Sequence, residues 1–190
     1  MLSLALAGCS TVAPASPPSI TGQVVGPDWP LKNAFVYVKS GLEGLRFAVP
    51  KEPVGLDQRG YVFTPRVFGI QVGQELRITS PDYTIHNVKC TPFNNDEFNV
   101  TMLQDDVATR IFTKPEVMIP FECNYHAHMK AYAGVLEHPF FAVTDRHGNF
   151  EILGLPPGAY TLAAWSEDRG ALEARVTVGA DPATVRFAFK

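Results

Sequence analysis

The stretch YVFTPRVFGIQVGQELRITSPDYTIHNVKC, residues 61–90, shows the pattern from which the fold can be predicted. Short runs of β-branched and aromatic residues are separated by a Val-Gly-Gln turn at 72–74 and by a polar loop before His86. Runs of this kind, bounded by Gly, Pro, Asn and Asp, indicate β-strands and tight turns. The stretch therefore predicts successive strands, the last of which begins near His86.

The same pattern continues on both sides of this stretch, from Ser19 to the C-terminus. Turn residues recur at intervals of roughly 8 to 12 residues, which is typical of sandwiches and barrels, and no convincing amphipathic helix is found. The sequence predicts an all-β protein. The predicted strands are 20–25, 34–39, 61–63, 67–72, 75–79, 85–90, 110–112, 117–123, 133–136, 140–144, 149–152, 160–165, 174–178 and 184–189.

The composition limits the possible partners. The chain has 190 residues, of which 46% are hydrophobic, so it has ample material for a buried core. Sixteen basic and nineteen acidic residues give a formal net charge of −3, with no run of one sign. A surface without a basic patch does not favour polyanions, so we expect no nucleic-acid partner.

The N-terminal stretch MLSLALAGCSTVAPASPPS, residues 1–19, resembles a bacterial lipoprotein signal followed by a flexible tether. In such signals the cysteine, here Cys9, is acylated. No Lys or Arg precedes Cys9, unlike those signals, so we expect the translation start to lie further upstream. The alternative is an apolar N-terminus that happens to contain a cysteine. We expect a periplasmic or cell-surface protein that contacts the membrane only through a lipid anchor.

Residues 121–129, FECNYHAHM, bring a thiol, two imidazoles and a thioether into the end of a predicted strand. The spacing C-x2-H-x2-M places Cys123, His126 and Met129 in one short loop, and His86 lies thirty-seven residues before Cys123. Two imidazoles and a thiolate, with a weak axial thioether, are the donors of a blue-copper electron-transfer site. The pattern predicts a metal site in which His86 comes from a neighbouring strand.

These motifs resemble the cupredoxin family over about residues 61–136. The resemblance rests on V-G-x-x-L-x-I-x-S, then H-N-V, then C-x2-H-x2-M, which is the short-loop spacing of amicyanin. It implies a Greek-key β-sandwich that binds one type 1 copper ion through His86, Cys123, His126 and Met129. It also implies that Asn87 helps to hold the ligand loop by hydrogen bonds.

The C-terminal stretch TDRHGNFEILGLPPGAYTLAAW, residues 144–165, resembles the carboxypeptidase regulatory-like, transthyretin-like β-sandwich. The opening strands of such a domain are found far upstream, in ITGQVV and PLKNAFVYV. The predicted organisation is therefore nested. Residues 1–19 are the signal remnant and linker, 20–41 plus 140–190 form the small sandwich, and 42–139 form the inserted cupredoxin-like module. Two domains in simple succession are the alternative.

The run from Cys123 to Asp145 is similar to that of bacterial exported proteins that join these two modules. In that group a cysteine and a histidine are expected where this chain has Tyr61 and Arg66, and a second histidine where it has Lys89. A second metal site or a disulfide at these positions is therefore not expected here.

Other side chains compete for the metal-ligand roles. His128 is a possible alternative to His126, and His138 is another possible ligand, whereas His147 lies in a turn and is expected to be structural. Met129 could instead fill a gap in the core.

Cys123 has alternatives to copper binding: a disulfide with Cys90, a structural zinc site or a catalytic thiol. Cys90 lies on the strand of His86 but roughly 13 Å along it, at about 3.3 Å per residue, so disulfide and copper site exclude each other. Zinc binds thioethers poorly, which disfavours the second alternative. A catalytic thiol would need an orienting group and an oxyanion pocket, for which only Asn87 and Asn124 are available.

The predicted function is one-electron transfer by an exported mononuclear copper protein, not an enzyme. His126 is the ligand expected nearest to solvent, and Tyr125, Ala127 and Tyr132 are expected to form a small docking patch for a transient partner, a cytochrome or an oxidoreductase. One alternative is copper binding or delivery without redox turnover, with His128, Cys90 and His138 as extra donors. Another is a surface structural protein stabilised by metal.

Overall fold

The computed structural model describes residues 19–190, which form strands and turns with no helix among them. The prediction of an all-β fold is confirmed. The lipidation predicted at Cys9 lies outside the described residues, and within them no helix could cross a bilayer. The strands are β1 (Ser19–Val25), β2 (Phe35–Ser40), β3 (Val54–Gln58), β4 (Phe63–Thr64), β5 (Val67–Gln71), β6 (Glu75–Ser80), β7 (His86–Cys90), β8 (Phe98–Met102), β9 (Asp106–Ile111), β10 (Glu116–Glu122), β11 (Lys130–Leu136), β12 (Phe141–Val143), β13 (Asn149–Leu153), β14 (Gly158–Ser166), β15 (Gly170–Val178) and β16 (Ala183–Ala188).

These strands form four sheets that pack in pairs. Sheets β13-β1-β16 and β12-β2-β14-β15 enclose one core; we call this pair the split sandwich, because its strands come from residues 19–40 and 141–188. Sheets β4-β3-β6-β9 and β5-β11-β10-β7-β8 enclose a second core; we call this pair the continuous sandwich, residues 54–136. The predicted domain boundaries, 42–139 for the inserted module and 20–41 plus 140–190 for the small sandwich, stay a prediction.

Alternating burial explains why these segments are strands. In β6 the side chains of Leu76 and Ile78 are fully buried, whereas Arg77 between them is exposed. Burying one such aliphatic side chain contributes about 1.5–3 kcal/mol relative to leaving it in water. The first and last strands, β1 and β16, pair in parallel from Ile20↔Ala183 to Val25↔Ala188, which places both in one sheet of the split sandwich.

Two observed strands, β3 and β8, were not predicted from the sequence. The strand predicted at 61–63 is mostly a turn, because Tyr61 has a φ of 61° and the strand begins only at Phe63. The backbone of Tyr61 is therefore left-handed instead of extended.

The two sandwiches meet at a pair of glycines. Gly134 of β11 lies opposite Gly69 of β5 in the parallel ladder. A Cβ atom at Gly134 would lie 2.2 Å from the ring of Phe35, and one at Gly69 would lie 2.1 Å from the ring of Phe141. These two rings belong to β2 and β12 of the split sandwich, and their centroids are 5.6 Å apart. The glycines therefore provide a flat surface on which two aromatic rings pack.

A polar contact closes the edge of this interface. The guanidinium of Arg66 donates to both carboxylate oxygens of Glu167, at 2.8 and 2.6 Å through Nη2, and to the carbonyl of Lys130 at 3.3 Å. The Tyr132 hydroxyl donates to the same carboxylate at 2.9 Å, and burial together with this carboxylate raises the pKa of Tyr132 to about 12. Arg66 therefore joins the two sandwiches.

Candidate metal centre

The ends of three strands of one sheet define the site. β7 begins at His86, β10 ends immediately before Cys123, and β11 begins immediately after Met129. Strand β10 pairs antiparallel with both β7 and β11, so the loop between β10 and β11 lies beside the start of β7. Sheet pairing, not sequence proximity, therefore brings His86 to the loop.

The loop itself is closed by two backbone hydrogen bonds. The N–H of Met129 donates to the carbonyl of His126 at 2.9 Å, and the N–H of Cys123 donates to the carbonyl of Met129 at 3.2 Å. These two bonds hold the start of the loop, at Cys123, next to its end, at Met129. The loop is therefore fixed between strands β10 and β11.

Three donor atoms converge at this end of the continuous sandwich. Nδ1 of His86 lies 3.2 Å from Nδ1 of His126, and Sγ of Cys123 lies 3.7 Å from the same His126 nitrogen. The three donor atoms all lie within 4.8 Å of one another. His86 is fully buried and Cys123 is 3% exposed, whereas His126 is half-buried. The side chain of Met129 is 1% exposed and packs in the core beneath the loop.

Asn87 connects strand β7 to the loop. Its Oδ1 accepts a hydrogen bond from the N–H of Asn124 at 2.6 Å, and its Nδ2 donates to Oδ1 of Asn99 at 2.6 Å. Asn87 is 2% exposed, so loss of these bonds would leave buried polar groups without partners. This side chain holds the start of the loop next to His86.

The second nitrogen of His86 has its own partner, Asp82. Nε2 lies 3.1 Å from Oδ2 of Asp82, which also accepts from the N–H of Tyr61, while Oδ1 accepts from the N–H of Gly60. The hydrogen bond from the Gly60 N–H has the largest effect on the pKa of Asp82 and holds it below its usual value, and the hydrogen bond from the Tyr61 N–H lowers it further. The carboxylate orients the imidazole so that Nδ1 faces His126 and Cys123.

The ring of Tyr61 lies edge-on to both imidazoles, with centroids 4.9 Å from His126 and 5.8 Å from His86. Partial burial is the main reason why the pKa of His126 lies below its usual value, and the nearby His86 lowers it further. A neutral imidazole keeps a lone pair on one ring nitrogen and can therefore act as a metal donor.

The other predicted candidates lie elsewhere. His128 is exposed, and its ring centroid is 6.3 Å from that of His126. His138 follows the seven-residue strand β11, so it lies roughly 20 Å from the loop at about 3.3 Å per residue. There its Nε2 contacts the Val38 carbonyl at 3.0 Å and its Nδ1 accepts from the Phe140 N–H at 3.2 Å. Neither histidine joins the three-donor group.

The cysteines are not joined to each other. Cys90 and Cys123 are both free, and Cys90 is directly opposite Phe121 in the ladder. Burial raises the pKa of the Cys90 thiol to about 12, so it stays protonated and unreactive. The alternative disulfide is therefore not present.

Two residues at the site, Asp82 and Tyr61, were missed as functional candidates. Asp82 lies in the polar loop four residues before His86, and Tyr61 was considered only as a replacement for an expected cysteine. Tyr132, predicted in a docking patch beside the loop, lies instead at the contact between the sandwiches, with its ring 5.0 Å from that of Trp165.

Comparison with known proteins gives remote structural likenesses only. No family model and no curated protein matches the chain. The chain is similar to a copper-containing nitrite reductase from Thermus scotoductus SA-01, at 20% identity over 61% of this chain and 28% of the reductase, with a TM-score of 0.43. It is similar to a purple cupredoxin from Nitrosopumilus maritimus, at 17% identity over 43% of this chain and 98% of that chain, with a TM-score of 0.38. A copper(I) form of an amicyanin variant is 15% identical over 44% of this chain and 81% of that chain, with a TM-score of 0.40. The chain spans only 28% of the length of the reductase, and likenesses this remote assign no function.

Proposed function

We propose that the chain binds one copper ion through His86, Cys123 and His126, with Met129 as a weak axial donor, and that it acts as an exported one-electron carrier. The supporting observation is that two imidazole nitrogens and a thiol sulfur converge within 4.8 Å of one another. These are the equatorial donors of a type 1 copper site, which cycles between cuprous and cupric states when occupied.

The spacing of the donors fits a single ion. Two nitrogens bound to one metal at about 2.0 Å, with an angle of about 105–120° between the bonds, lie about 3.2–3.5 Å apart. The Nδ1 atoms of His86 and His126 are 3.2 Å apart. Nitrogens that face each other at this distance cannot both carry a proton, whereas both can bind the same cation.

The donor set favours copper over structural zinc. A structural zinc site has four strong ligands, and the group found among residues 19–190 has three. Asp82 does not supply the fourth, because its carboxylate contacts Nε2 of His86, on the other side of the ring from the converging Nδ1 atom. A buried thioether from Met129 suits copper better than zinc.

The surrounding residues supply the rigidity that electron transfer requires. Asp82 fixes the His86 ring, and Asn87 fixes the start of the loop. His126 is the ligand nearest to solvent, next to the exposed side chains of Tyr125 and Ala127. A docking surface of this small size suits a transient redox partner, a cytochrome or an oxidoreductase. The lipid anchor at Cys9 and the periplasmic or cell-surface location belong to the same proposal.

Copper delivery without redox turnover has less support. That function would be favoured by further donors next to the first group. Among the described residues, His128 is exposed and outside the three-donor group, Cys90 is buried in the core and His138 lies at the other end of β11. The arrangement instead provides a single site with few additional donors.

The test is the visible spectrum of the protein after addition of cupric ion. The full chain with Cys9→Ser should develop an intense thiolate-to-copper charge-transfer band, because Cys123 supplies a thiolate ligand. Cys123→Ser should abolish the band, and the matched variant Cys90→Ala should retain it, since Cys90 lies away from the donor group. A colourless cupric complex of the Cys9→Ser protein would contradict the proposal, and slow or irreversible reduction would contradict the carrier role.

A further inference from the structure

The solvent side of the two imidazoles is covered by one aromatic ring. Tyr61 meets His126 and His86 edge-on, with interplanar angles of 84° and 76°. Tyr61 itself is 46% exposed, whereas His86 behind it is fully buried. The ring therefore has one side in water and the other against the imidazole pair.

The backbone that presents this ring adopts an unusual conformation. Gly60 and Tyr61 both have left-handed backbones, with φ values of 67° and 61°, in the turn that connects β3 to β4. Glycine adopts this conformation readily, but a bulky aromatic residue does so only at an energetic cost. Such a conformation persists when surrounding contacts hold it, and it is common at functional sites.

Those contacts come from Asp82. Its Oδ1 accepts from the N–H of Gly60 at 3.0 Å, and its Oδ2 accepts from the N–H of Tyr61 at 3.3 Å. The same Oδ2 is 3.1 Å from Nε2 of His86. One carboxylate thus binds both the turn that carries the ring and the imidazole that the ring covers.

We propose that Tyr61 is a cover that shields one side of the His86–His126 pair from water and small anions, and that Asp82 is the positioning residue that holds this cover against His86. This inference rests on the proposed metal site. With the ring in place, an exogenous ligand could not reach a metal held by the two imidazoles from the side of Tyr61. The contacts are made by the ring, so phenylalanine should serve as well as tyrosine.

The first experiment needs no metal. The metal-free full chain is treated with diethyl pyrocarbonate, and the modification of each histidine is followed by mass spectrometry. The exposed His128 serves as the internal reference. Tyr61→Ala should increase the modification of His126 and His86 severalfold relative to His128, and Tyr61→Phe should leave it unchanged. Asp82→Ala should increase it as well, because the turn is released.

Tyr83→Ala is the matched control, because Tyr83 adjoins Asp82 but is 92% exposed. It should leave the modification unchanged. Equal modification of His126 and His86 in Tyr61→Ala and in the unsubstituted chain would overturn the inference. An increase as large in Tyr83→Ala would also overturn it, because it would show general loosening of the loops. Circular dichroism checks that each variant is folded. If Tyr61→Ala is not folded, Asp82→Ala decides, and no increase in that variant would overturn the inference.

The second experiment uses the copper-loaded protein. Added azide should change the visible spectrum of Tyr61→Ala and leave the spectra of Tyr61→Phe and the unsubstituted chain unchanged. No spectral change in copper-loaded Tyr61→Ala would overturn the inference. If the unsubstituted chain takes up no copper, the proposed function fails, and the metal-free experiment still decides whether Tyr61 covers the histidines.

Discussion

The split and continuous sandwiches share a layered architecture but differ in what they bury. Two polar side chains, Ser19 and Thr144, are buried in the split sandwich, whereas the continuous sandwich buries six: Gln58, Gln71, Gln74, Ser80, His86 and Asn87. Three of their buried atoms have no hydrogen-bond partner within the described residues: Gln58 Oε1, Gln71 Oε1 and Ser80 Oγ. The continuous sandwich therefore buries more polar side chains than the split sandwich, and two of them, His86 and Asn87, lie at the end that holds the three donors.

The largest expected effect comes from two matched core substitutions, Phe121→Ala and Phe187→Ala. Each removes a buried aromatic ring from the core of one sandwich, so each should lower the free energy of unfolding by about 3–5 kcal/mol. Only Phe121→Ala should also weaken copper binding, because Phe121 lies two residues before Cys123 on β10. Urea denaturation and copper titration measure the two effects. Equal loss of copper binding in Phe187→Ala would show that copper binding does not depend on the core of the continuous sandwich in particular.

The contact between the sandwiches gives the next effect. Gly134→Ala places a Cβ atom 2.2 Å from the Phe35 ring, which must move, so the free energy of unfolding should fall by about 1–3 kcal/mol. Gly55→Ala is the control, since Gly55 also lies in a strand but has no atom within 4 Å of an added Cβ. Thermal unfolding distinguishes them. If both variants melt alike, the glycine surface does not set how closely the sandwiches pack.

A pair of polar substitutions compares buried hydrogen bonds in the two sandwiches. Asn87→Ala removes the acceptor of the Asn124 N–H, and Thr144→Ala removes the hydroxyl that accepts from the Ala34 N–H. Each should lower the free energy of unfolding by about 1–3 kcal/mol, because a donor that is buried at Ala34 and partly buried at Asn124 loses its partner. Only Asn87→Ala should also weaken copper binding, measured by competition with a chelator. Weaker copper binding in Thr144→Ala would show that the effect is not local.

The smallest effect is a pH dependence in the split sandwich. The hydrogen bond that the Asp145 carboxylate accepts from the backbone N–H of Asn149 is the main reason why the pKa of Asp145 lies below its usual value. The hydrogen bond from the N–H of His147 lowers it further. A carboxyl group with a lowered pKa stabilises the fold fully above its unfolded pKa of about 3.9, and this stabilisation is lost as the pH falls through the folded pKa. Asp145→Asn should therefore lose less stability between pH 7 and pH 3, as measured by urea denaturation. An identical loss in both proteins would assign the acid sensitivity to other groups.

The strands that could be predicted are those whose side chains signal burial by themselves. In β6 and β10 the apolar residues alternate or are frequent enough to mark a strand. Strand β3, VGLDQ, carries a glycine and an aspartate, and it is held by pairing with β6 and β4. Whether this segment forms a strand therefore depends on partner strands, which local sequence patterns do not reveal.

The same limit applies to the candidate site. The spacing C-x2-H-x2-M placed three candidate donors in one loop, because contacts across a short loop are local. Asp82 meets Gly60 and Tyr61 across 22 and 21 residues, and no spacing rule connects a polar loop with a hairpin turn. The left-handed backbone of Tyr61 could not be predicted either, since tyrosine is a common strand residue.

The parallel pairing of β1 with β16 has a mechanical consequence. If residues 19 and 188 were pulled apart, the two neighbouring strands would slide along each other, and their ladder from Ile20↔Ala183 to Val25↔Ala188 would resist in shear with all its hydrogen bonds loaded together. The continuous sandwich is inserted between β2 and β12, so it lies outside this load path. Tension applied between residues 19 and 188 would therefore leave the donor atoms of the candidate metal centre unstrained.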